Sequence, residues 1–308
     1  MYSGTNVEEI IMKTKNLGIL VFLVAIAVTM GSASAATVNV NSGMTPAQIQ
    51  GNISAATAGD TINFASGTYN GISLTINKAL NLVGNGATIV GNGSSVFIIT
   101  GTTGVSINGF NININNPSAD GITGSNVYSC SIQNNNITNG DDGINIFKQY
   151  GGLTINNNRV TNMNAARDGI SLVNCVSSTS TSTSITNNVV DGLNYGIFVG
   201  GYFRGLISGN TLNNIGLTGM NITGKNAATT GNLYANITNN DITSTGVGIS
   251  MENPDVVYLN LTGNTVSSGS DSLLKGYYYT RDANIQLTNS LTGNTYDNLW
   301  DPLTTNGH

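Results

Sequence analysis

Aspartate precedes the dipeptide Gly-Ile at three successive places in the chain. The three residues are Asp120, Asp142 and Asp168, and two of them directly follow another ionisable residue, Asp141 and Arg167 respectively. Carboxylates that recur in this way could form one acidic cluster if the fold brings the repeats together. Whether they do depends on the fold that the rest of the sequence specifies.

Two kinds of chemistry use clustered carboxylates. Two carboxyl groups that flank a sugar can act as general acid and general base, so Asp142 could protonate a leaving group while Asp120 or Asp141 activates water. Asp141 and Asp142, with the amide of Asn145, could instead bind Ca²⁺ through hard oxygen ligands. Arg167 acting as a base would give a lyase-like arrangement, although the high pKa of a guanidinium makes arginine a difficult base.

A structural explanation of the same aspartates competes with the catalytic one. Asp before Gly is common in turns, because the carboxylate accepts hydrogen bonds from backbone N–H groups two residues further on. In a repeat protein such a turn recurs without any chemical role. Because a buried stack of carboxylates is costly, we expect these aspartates to lie in solvent-facing turns.

The sequence around the aspartates is repetitive. A pattern of apolar residue, two variable residues, Asn, one variable residue and another apolar residue recurs at steps of 22 to 30 residues, on Asn135, Asn158, Asn188, Asn210, Asn240, Asn264 and Asn294. A Gly-apolar pair between these asparagines gives each repeat two short strand-like runs and no helical stripe. Repeats of this length and periodicity indicate a β-solenoid.

We therefore predict an all-β, single-stranded right-handed parallel β-helix of about nine coils with a short N-terminal helical cap. Successive coils stack about 4.8 Å apart, with Ile, Leu and Val turned inward. Equivalent asparagines then lie above one another and should form a ladder of hydrogen-bonded side chains.

Alignment of the coils on the Gly-apolar pair predicts which side chains share a face. One patch should contain Asp120, Asp141, Asp142, Arg167, Asp168 and Tyr195, with neighbouring members about 5 Å apart. The outward row beside it should contain Thr123, Asn145, Ser171, Phe198, Asn221 and Ser250. Among these, the predicted ligand-contacting residues are Asn145, Ser171, Tyr195 and Phe198, whose aromatic members could stack on sugars.

The ends of the solenoid need covers against edge pairing. The segment Met44–Ala56 predicts an N-terminal helical cap, with Thr45 as N-cap, proline at the first position, and Ile49 and Ile53 on one face. Tyr296–Leu303, which contains the single Trp of the chain, is the predicted C-terminal lid.

The two cysteines fall in different coils. Cys130 and Cys175 should be two coils apart, about 9.6 Å along the axis, whereas a disulfide needs Cα atoms within about 7 Å. The register therefore predicts two free, buried thiols.

Composition limits the partners. Only 8% of the 308 residues are charged and the net charge is −5, without a basic run, which argues against capture of nucleic acid. Hydrophobic residues make up 39% of the chain and argue against disorder. We expect a monomer.

The N-terminus predicts export. Lys13 and Lys15 precede the apolar run Leu17–Met30 and a small-residue segment, which is the pattern of a signal peptide cleaved after Ala35. Residues 1–35 are thus the predicted signal peptide, with Met12 as an alternative start, and residues 36–308 the β-helix domain with its caps. A retained membrane anchor is the other interpretation.

Export makes glycosylation relevant, because Asn-x-Ser/Thr sequons are glycan acceptors in exported proteins. An Asn- and Thr-rich chain also produces such sequons by chance. They begin at Asn52, Asn92, Asn136, Asn221, Asn236 and Asn260.

The stretch Ala58–Ile89, "AGDTINFASGTYNGISLTINKALNLVGNGATI", followed by the Asn-x-apolar coils, resembles the right-handed parallel β-helix proteins of the pectate-lyase-like superfamily. More narrowly, it resembles the exported adhesin-like β-helix proteins of methanogenic archaea. The resemblance covers about residue 36 to the C-terminus, and it implies the fold and a location at the cell surface. It does not specify an activity.

A second resemblance concerns the aspartates. "ADGI" and "NGDDGINI" are similar to two motifs of polygalacturonases, where one Asp lies in Asn-Thr-Asp-Gly and two more lie in Gly-Asp-Asp one coil later. This implies catalytic roles for Asp120, Asp141 and Asp142. The family's Gly-His-Gly and Arg-x-Lys motifs have no counterpart, since the single histidine is His308.

The main functional prediction is a secreted or cell-surface, adhesin-like β-helix protein that contacts a glycan or cell-wall polymer along one face without catalysis. The alternative is a hydrolase or lyase for uronic-acid polymers that uses Asp120, Asp141 and Asp142 with Arg167 or Asp168. A purely structural envelope protein is the third hypothesis. No cofactor is required by any of them, and Ca²⁺ is the one candidate ion.

Overall fold

A computed structural model describes residues 34–163, 167–176, 182–223, 232–252 and 256–268, together with three short strands within 273–296. All described elements belong to the unit Ala36–His308. The predicted signal peptide up to residue 33, Asn294 and most of the predicted C-terminal lid lie outside the described residues.

The regular elements of the described residues are all strands apart from one helix near the start. In chain order the elements are β1 (Thr37–Val40), α1 (Pro46–Ala55), β2 (Thr61–Phe64), β3 (Thr68–Ile72), β4 (Leu74–Ile76), β5 (Asn81–Val83), β6 (Thr88–Gly91), β7 (Phe97–Thr100), β8 (Ser106–Asn108), β9 (Asn111–Asn113), β10 (Ile122–Val127), β11 (Ser131–Gln133), β12 (Asn136–Thr138), β13 (Ile144–Gln149), β14 (Thr154–Asn156), β15 (Arg159–Thr161), β16 (Asp168–Val176), β17 (Thr183–Thr186), β18 (Val189–Asp191), β19 (Tyr195–Tyr202), β20 (Arg204–Ser208), β21 (Thr211–Ile215), β22 (Thr218–Thr223), β23 (Asn232–Thr238), β24 (Asp241–Ser244), β25 (Val247–Glu252), β26 (Val256–Thr262), β27 (Thr265–Ser268), β28 (Leu273–Tyr277), β29 (Asn284–Leu287) and β30 (Thr295–Tyr296).

These strands form three parallel sheets, and from β2 onward each sheet takes every third strand. Sheet A runs from β1 and β2 through β5 to β29 with 11 described strands, sheet B from β3 to β30 with 10, and sheet C from β4 to β28 with 9. One coil therefore passes through sheets A, B and C in turn and stacks on the next coil. The predicted parallel β-helix is confirmed.

The core is a set of apolar columns. On sheet A the registered, fully buried inward residues are Ile62, Leu82, Ile107, Ile132, Ile155, Ile185, Ile207, Ile237 and Leu261. Full burial of one such side chain contributes about 1.5–3 kcal/mol. The alternation of buried and exposed residues along each short strand is what the period of two in the sequence predicts.

The asparagine ladder fills the turn between sheets A and B. Asn135, Asn158, Asn188, Asn210, Asn240 and Asn264 are buried and bond to one another in sequence. Asn188 is typical: its Nδ2 donates to Ile155 O and to Asn210 Oδ1 at 3.0 Å each, and its Oδ1 accepts from Asn158 N at 2.9 Å. The ladder thus satisfies backbone groups that the turn would leave unpaired.

The residue before each ladder asparagine has a left-handed backbone. Asn134, Asn157, Asn187 and Asn239 have φ values of 54–56°, and glycine takes the same place at Gly209 and Gly263. Asn and Gly are the residues that adopt this conformation most readily. The turn therefore needs a pair of residues, one to reverse the chain and one to bond across coils, which accounts for the Asn-rich composition.

The N-terminal cap and the cysteines agree with prediction. Thr45 and Gln48 form a reciprocal capping box at the start of α1, and Ile49 and Ile53 are buried against the first coils. Cys130 and Cys175 are free and buried. Among the described residues, no helix is both long enough and apolar enough to cross a membrane.

The ladder makes a stability prediction. Asn188→Ala should lower the free energy of unfolding by roughly 2–4 kcal/mol, because buried partners on both neighbouring coils lose hydrogen bonds. The matched control is Asn136→Ala, which removes the same atoms from an exposed position on β12. Urea denaturation followed by circular dichroism measures both, and equal losses in the two variants would contradict the structural role of the ladder.

Candidate functional site

The predicted stacking of the Gly-Ile repeats occurs on sheet C. Its buried inward row is Ile122, Ile144, Ile170, Ile197, Met220 and Ile249, in unbroken register. The row beside it is the predicted Thr123, Asn145, Ser171, Phe198, Asn221 and Ser250. Asp120 and Asp142 lie two residues before β10 and β13, and Asp168 is the first residue of β16, so the aspartates meet at one end of the sheet.

The three aspartates form a hydrogen-bonded column along the helix axis. Asp120 Oδ1 accepts from the backbone N–H of Asp142 at 3.3 Å, and Asp142 Oδ1 accepts from the backbone N–H of Asp168 at 3.0 Å. Asp120 Oδ2 also accepts from Asn145 Nδ2 at 3.3 Å. The Asp120 and Asp142 carboxylates are therefore each held by the next coil, with little freedom to turn away.

The column begins one coil earlier with a residue that sequence reasoning missed. Ser95 Oγ accepts from the backbone N–H of Asp120 at 3.1 Å, which is the kind of bond that Asp120 and Asp142 make to their successors. On the other side, Tyr195 is registered with Asp168, and Thr218 with Tyr195. The fold thus requires a hydrogen-bond acceptor at this position in some coils and not in others. It does not require a negative charge in either kind of coil.

The glycine after each aspartate has a packing explanation. A Cβ on Gly143 would lie 2.7 Å from Gly169 O and 2.5 Å from a Val160 methyl, and a Cβ on Gly169 would lie 2.8 Å from Gly196 O. Glycine persists in the coils that carry Tyr195 and Thr218 instead of Asp. The Gly-apolar pair therefore marks the fold, whereas the run of three Asp residues does not.

Burial of Asp142 corrects the expectation of solvent-facing acids. Its side chain is 6% exposed, and burial is the main reason that the pKa of the Asp142 carboxyl is raised to about 7. The hydrogen bond from the Asp168 N–H lowers this pKa, and the negative charges of Asp168, Asp120 and Asp141 raise it further. Burial is also the main reason that the pKa values of Asp120 and Asp168 are raised. The register placed the acids together, but their depth depends on covering side chains that periodicity does not report.

One cation lies in the cluster. Arg167 Nε is 3.1 Å from Asp141 Oδ1, with the arginine side chain 59% exposed. Its charge also lowers the pKa values of Asp120 and Asp168 and opposes the effect of burial on both. Arg167 thus offsets part of the acidic charge from the solvent side.

The structure places Asp141 beside Asp142 and pairs one of its carboxylate oxygens with this guanidinium. Among the described residues, no group of three or more His, Cys, Asp or Glu side chains is arranged to hold a metal ion. Ca²⁺ binding by Asp141, Asp142 and Asn145 stays a prediction.

The predicted ligand-contacting residues continue the same face. Ser171 is 2% exposed and its side chain hydrogen-bonds Asp168, so it supports the cluster instead of facing solvent. Tyr195 and Phe198 are half-buried on the next coil. The Phe198 ring lies over Gly200, where an added Cβ would be 3.0 Å from it. All nine predicted site residues therefore lie on sheet C or at its edge within four consecutive coils.

Comparison with known proteins supports the fold. No family model matches the sequence, and no curated protein matches it. Among solved structures, the A-module of the mannuronan C-5 epimerase AlgE4 from Azotobacter vinelandii superposes with a TM-score of 0.51 at 13% identity, covering 82% of this chain and 91% of the module.

Two further solved structures are more distant. The pectate lyase Pel9A gives a TM-score of 0.45 at 14% identity, over 86% of this chain and 81% of the lyase. The catalytic domain of a GH87 α-1,3-glucanase in complex with tetrasaccharides gives 0.33 at 14% identity, over 86% of this chain and 69% of that one.

Burial of Asp142 predicts a specific pH dependence of stability. The pKa of this carboxyl is about 7 in the folded chain and 3.8 ordinarily. Between these two pH values the folded chain therefore keeps a proton on Asp142 that the unfolded chain has already released. The contribution of this group to the free energy of unfolding is fully present below its unfolded pKa and is lost as the pH rises to its folded pKa. Asp142→Asn keeps an acceptor for the Asp168 N–H and removes the charge.

We therefore expect Asp142→Asn to raise the free energy of unfolding by roughly 2–4 kcal/mol at about pH 8 and to change it little at about pH 4. Asp191→Asn is the control, because that carboxylate accepts from the exposed Asn214 on sheet B, outside the cluster. Thermal denaturation across this pH range measures the difference. An equal gain at both pH values would disprove the burial effect.

Proposed function

We propose that this protein is a polysaccharide-active enzyme whose catalytic groups are the stacked aspartates at the edge of sheet C, with Asp142 as the general acid. The observation that carries the proposal is the column Asp120–Asp142–Asp168, three carboxyl groups on successive coils with the middle one buried between the other two. A carboxyl group whose pKa is close to 7 holds a proton at neutral pH and can donate it to a leaving oxygen.

The partner carboxylate comes from an adjacent coil. Coils are about 4.8 Å apart, so Asp120 and Asp168 lie on either side of Asp142, and Asp141 lies beside it on the same coil. Bonds from Asn145 and the Asp142 N–H hold Asp120, while Arg167 pairs with Asp141. Two carboxyl groups of different proton affinity are what glycoside hydrolysis requires.

The fold does not need a charged residue at the aspartate positions, and this favours a functional role for the aspartates over a role in turns. Ser95 makes the same inter-coil bond upstream without a charge, and Tyr195 and Thr218 occupy the position downstream. Crowding three carboxyl groups together, with the middle one buried, raises their pKa values and weakens the fold. Such groupings are concentrated at functional sites.

The substrate class is supported by the fold comparison and by the predicted export. The AlgE4 A-module, which shares the parallel β-helix over 82% of this chain, is named for acting on mannuronan, a polysaccharide. We extend only the substrate class to this chain. The N-terminal sequence, read as a signal peptide, would bring the enzyme to polymers outside the cell.

A non-catalytic, adhesin-like glycan-contacting protein is the second candidate. It is favoured by the bonds that tie Asp120 and Asp142 to the backbone of the next coil, because an acceptor with a purely structural role makes the same bonds. It is also favoured by the lack of the histidine and Arg-x-Lys motifs of polygalacturonases. In this case the face with Tyr195 and Phe198 would bind polymer without changing it.

Turnover separates the two candidates. We expect the purified protein to act on at least one member of a panel of plant, algal and microbial-wall polysaccharides, assayed with and without Ca²⁺. New reducing ends report hydrolysis, ultraviolet absorbance of unsaturated uronates reports lyase activity, and proton NMR of the intact polymer reports epimerisation. Asp142→Asn should lower kcat at least about 100-fold, the usual contribution of a general acid, and wild-type kcat should fall as pH rises through about 7.

The control is Asp191→Asn, which removes a carboxylate from sheet B and should retain wild-type kcat. Asp142→Asn should also keep the circular dichroism spectrum of the wild type, since amide oxygen replaces the carboxylate as acceptor. Polymer binding without any of the three products would contradict the catalytic proposal and favour the adhesin-like candidate. Activity that survives Asp142→Asn would place catalysis elsewhere.

A further inference from the structure

A groove of about 360 Å³ lies on the outer surface of sheet A, away from the strands that carry the aspartates. It crosses β20, β23 and β26, which are consecutive strands of that sheet. The side chains that define it are Ser182, Arg204, Leu206, Tyr234, Asn236 and Asn260. Neither the Asn pattern nor the Gly-apolar pattern of the sequence includes this surface.

The strand alternation turns these side chains outward. On β20, Gly205 and Ile207 are buried while Arg204 and Leu206 are exposed. The same alternation on β23 buries Ala235 and Ile237 and directs its neighbours to the surface.

The register then brings the outward residues side by side. Arg204 pairs with Tyr234, and Leu206, Asn236 and Asn260 follow one another across three coils. The groove therefore has an aromatic end and an amide-lined end with an exposed leucine beside it. This order is fixed by backbone pairing and does not depend on loop conformation.

The chemistry of the groove matches a sugar ring. The guanidinium of Arg204 lies over the Tyr234 ring, 5.1 Å from its centroid, and this contact covers one face of the ring and fixes its orientation. The remaining surface of the ring and the Leu206 side chain offer apolar contact to the C–H groups of a pyranose, while the amides of Asn236 and Asn260 can bond to its hydroxyls.

We propose that this groove is a saccharide-binding site separate from the aspartate cluster. Other macromolecular occupants fit less well. Each of the three strands is hydrogen-bonded to neighbours on both sides, so an extended peptide has no edge to join. With a net charge of −5 for the chain and one arginine in the groove, a nucleic acid would find little to offset its phosphates.

In this proposal the groove binds a saccharide and does not catalyse a reaction. Its lining contains no carboxylate, cysteine or histidine, so the described residues there offer no acid or base of suitable proton affinity. The proposal is accordingly independent of whether the aspartate cluster is catalytic. It assigns Tyr234 as the main contact and the two asparagines as specificity contacts.

The test uses the full chain with Asp142→Asn as background, so that turnover does not consume the probe. Expression in a host without N-glycosylation keeps Asn236 and Asn260, both in sequons, unmodified. Oligosaccharides of mannuronate, galacturonate, α-1,3-glucan and β-1,4-glucan are titrated by calorimetry. Tyr234→Ala should weaken binding of the recognised oligosaccharide at least about tenfold, equivalent to about 1.4 kcal/mol, and Tyr234→Phe should keep most of the affinity.

Tyr128→Ala is the matched control. It removes a ring of the same size that is 44% exposed and stacked on Tyr150 at 4.5 Å between centroids, outside the groove, and it should leave affinity unchanged. Circular dichroism confirms that each variant is folded. The proposal is overturned by binding that survives Tyr234→Ala, by equal losses in both alanine variants, or by lack of binding to all four probes. None of these results depends on the turnover assay of the aspartate cluster.

Discussion

The register between successive coils is the constraint on which every other feature of this molecule depends. Parallel pairing places residue after residue of one coil above its equivalent in the next, as in Ile122, Ile144 and Ile170 on sheet C. A slip of one residue would turn the apolar columns outward, because strand side chains alternate with a period of two. The Asn ladder holds this register at the turn, since each buried amide reaches the backbone of the neighbouring coil. The ladder thus supplies specificity as well as hydrogen bonds.

The same register determines what chemistry the solenoid can hold. A repeat fold stacks like on like, which is favourable for isoleucine and for amides but unfavourable for carboxylates. Asp120, Asp142 and Asp168 nevertheless stand in one column, and the pKa of the middle carboxyl is about 7 as a result of its burial and its neighbours. The register that stabilises the fold therefore also raises the pKa values of these aspartates. Arg167, placed one residue before Asp168, offsets part of that charge at Asp141.

The sequence predicted those features that repeat or that depend on neighbouring residues, and it missed those that depend on several coils at once. The Asn pattern, the Gly-apolar pattern and the capping residues of α1 are periodic or local, so the fold, the membership of the acidic patch and the free cysteines could all be predicted. The depth of Asp142 could not, because it depends on side chains from several coils. Ser95 was missed because a serine breaks the Asp-Gly-Ile pattern while keeping the hydrogen bond. The signal for it lies in the alignment of Phe97 with Ile122, which the Gly-Ile alignment did not extend to.

The groove on sheet A is a clearer case of a feature that the repeat pattern of the sequence does not predict. Arg204 and Tyr234 lie on coils of unequal length, and their pairing follows from strand register instead of from equal spacing in the chain. In a solenoid each coil contacts only its neighbours, so different faces can acquire different side chains with little energetic coupling between them. A polymer is a ligand long enough to meet more than one face. If a chain held at the Tyr234 groove also reaches sheet C, its local concentration at the aspartates rises without any new contact there. Separate faces joined by one rigid register are thus well suited to an extended saccharide, and poorly suited to a small molecule that can occupy only one of them.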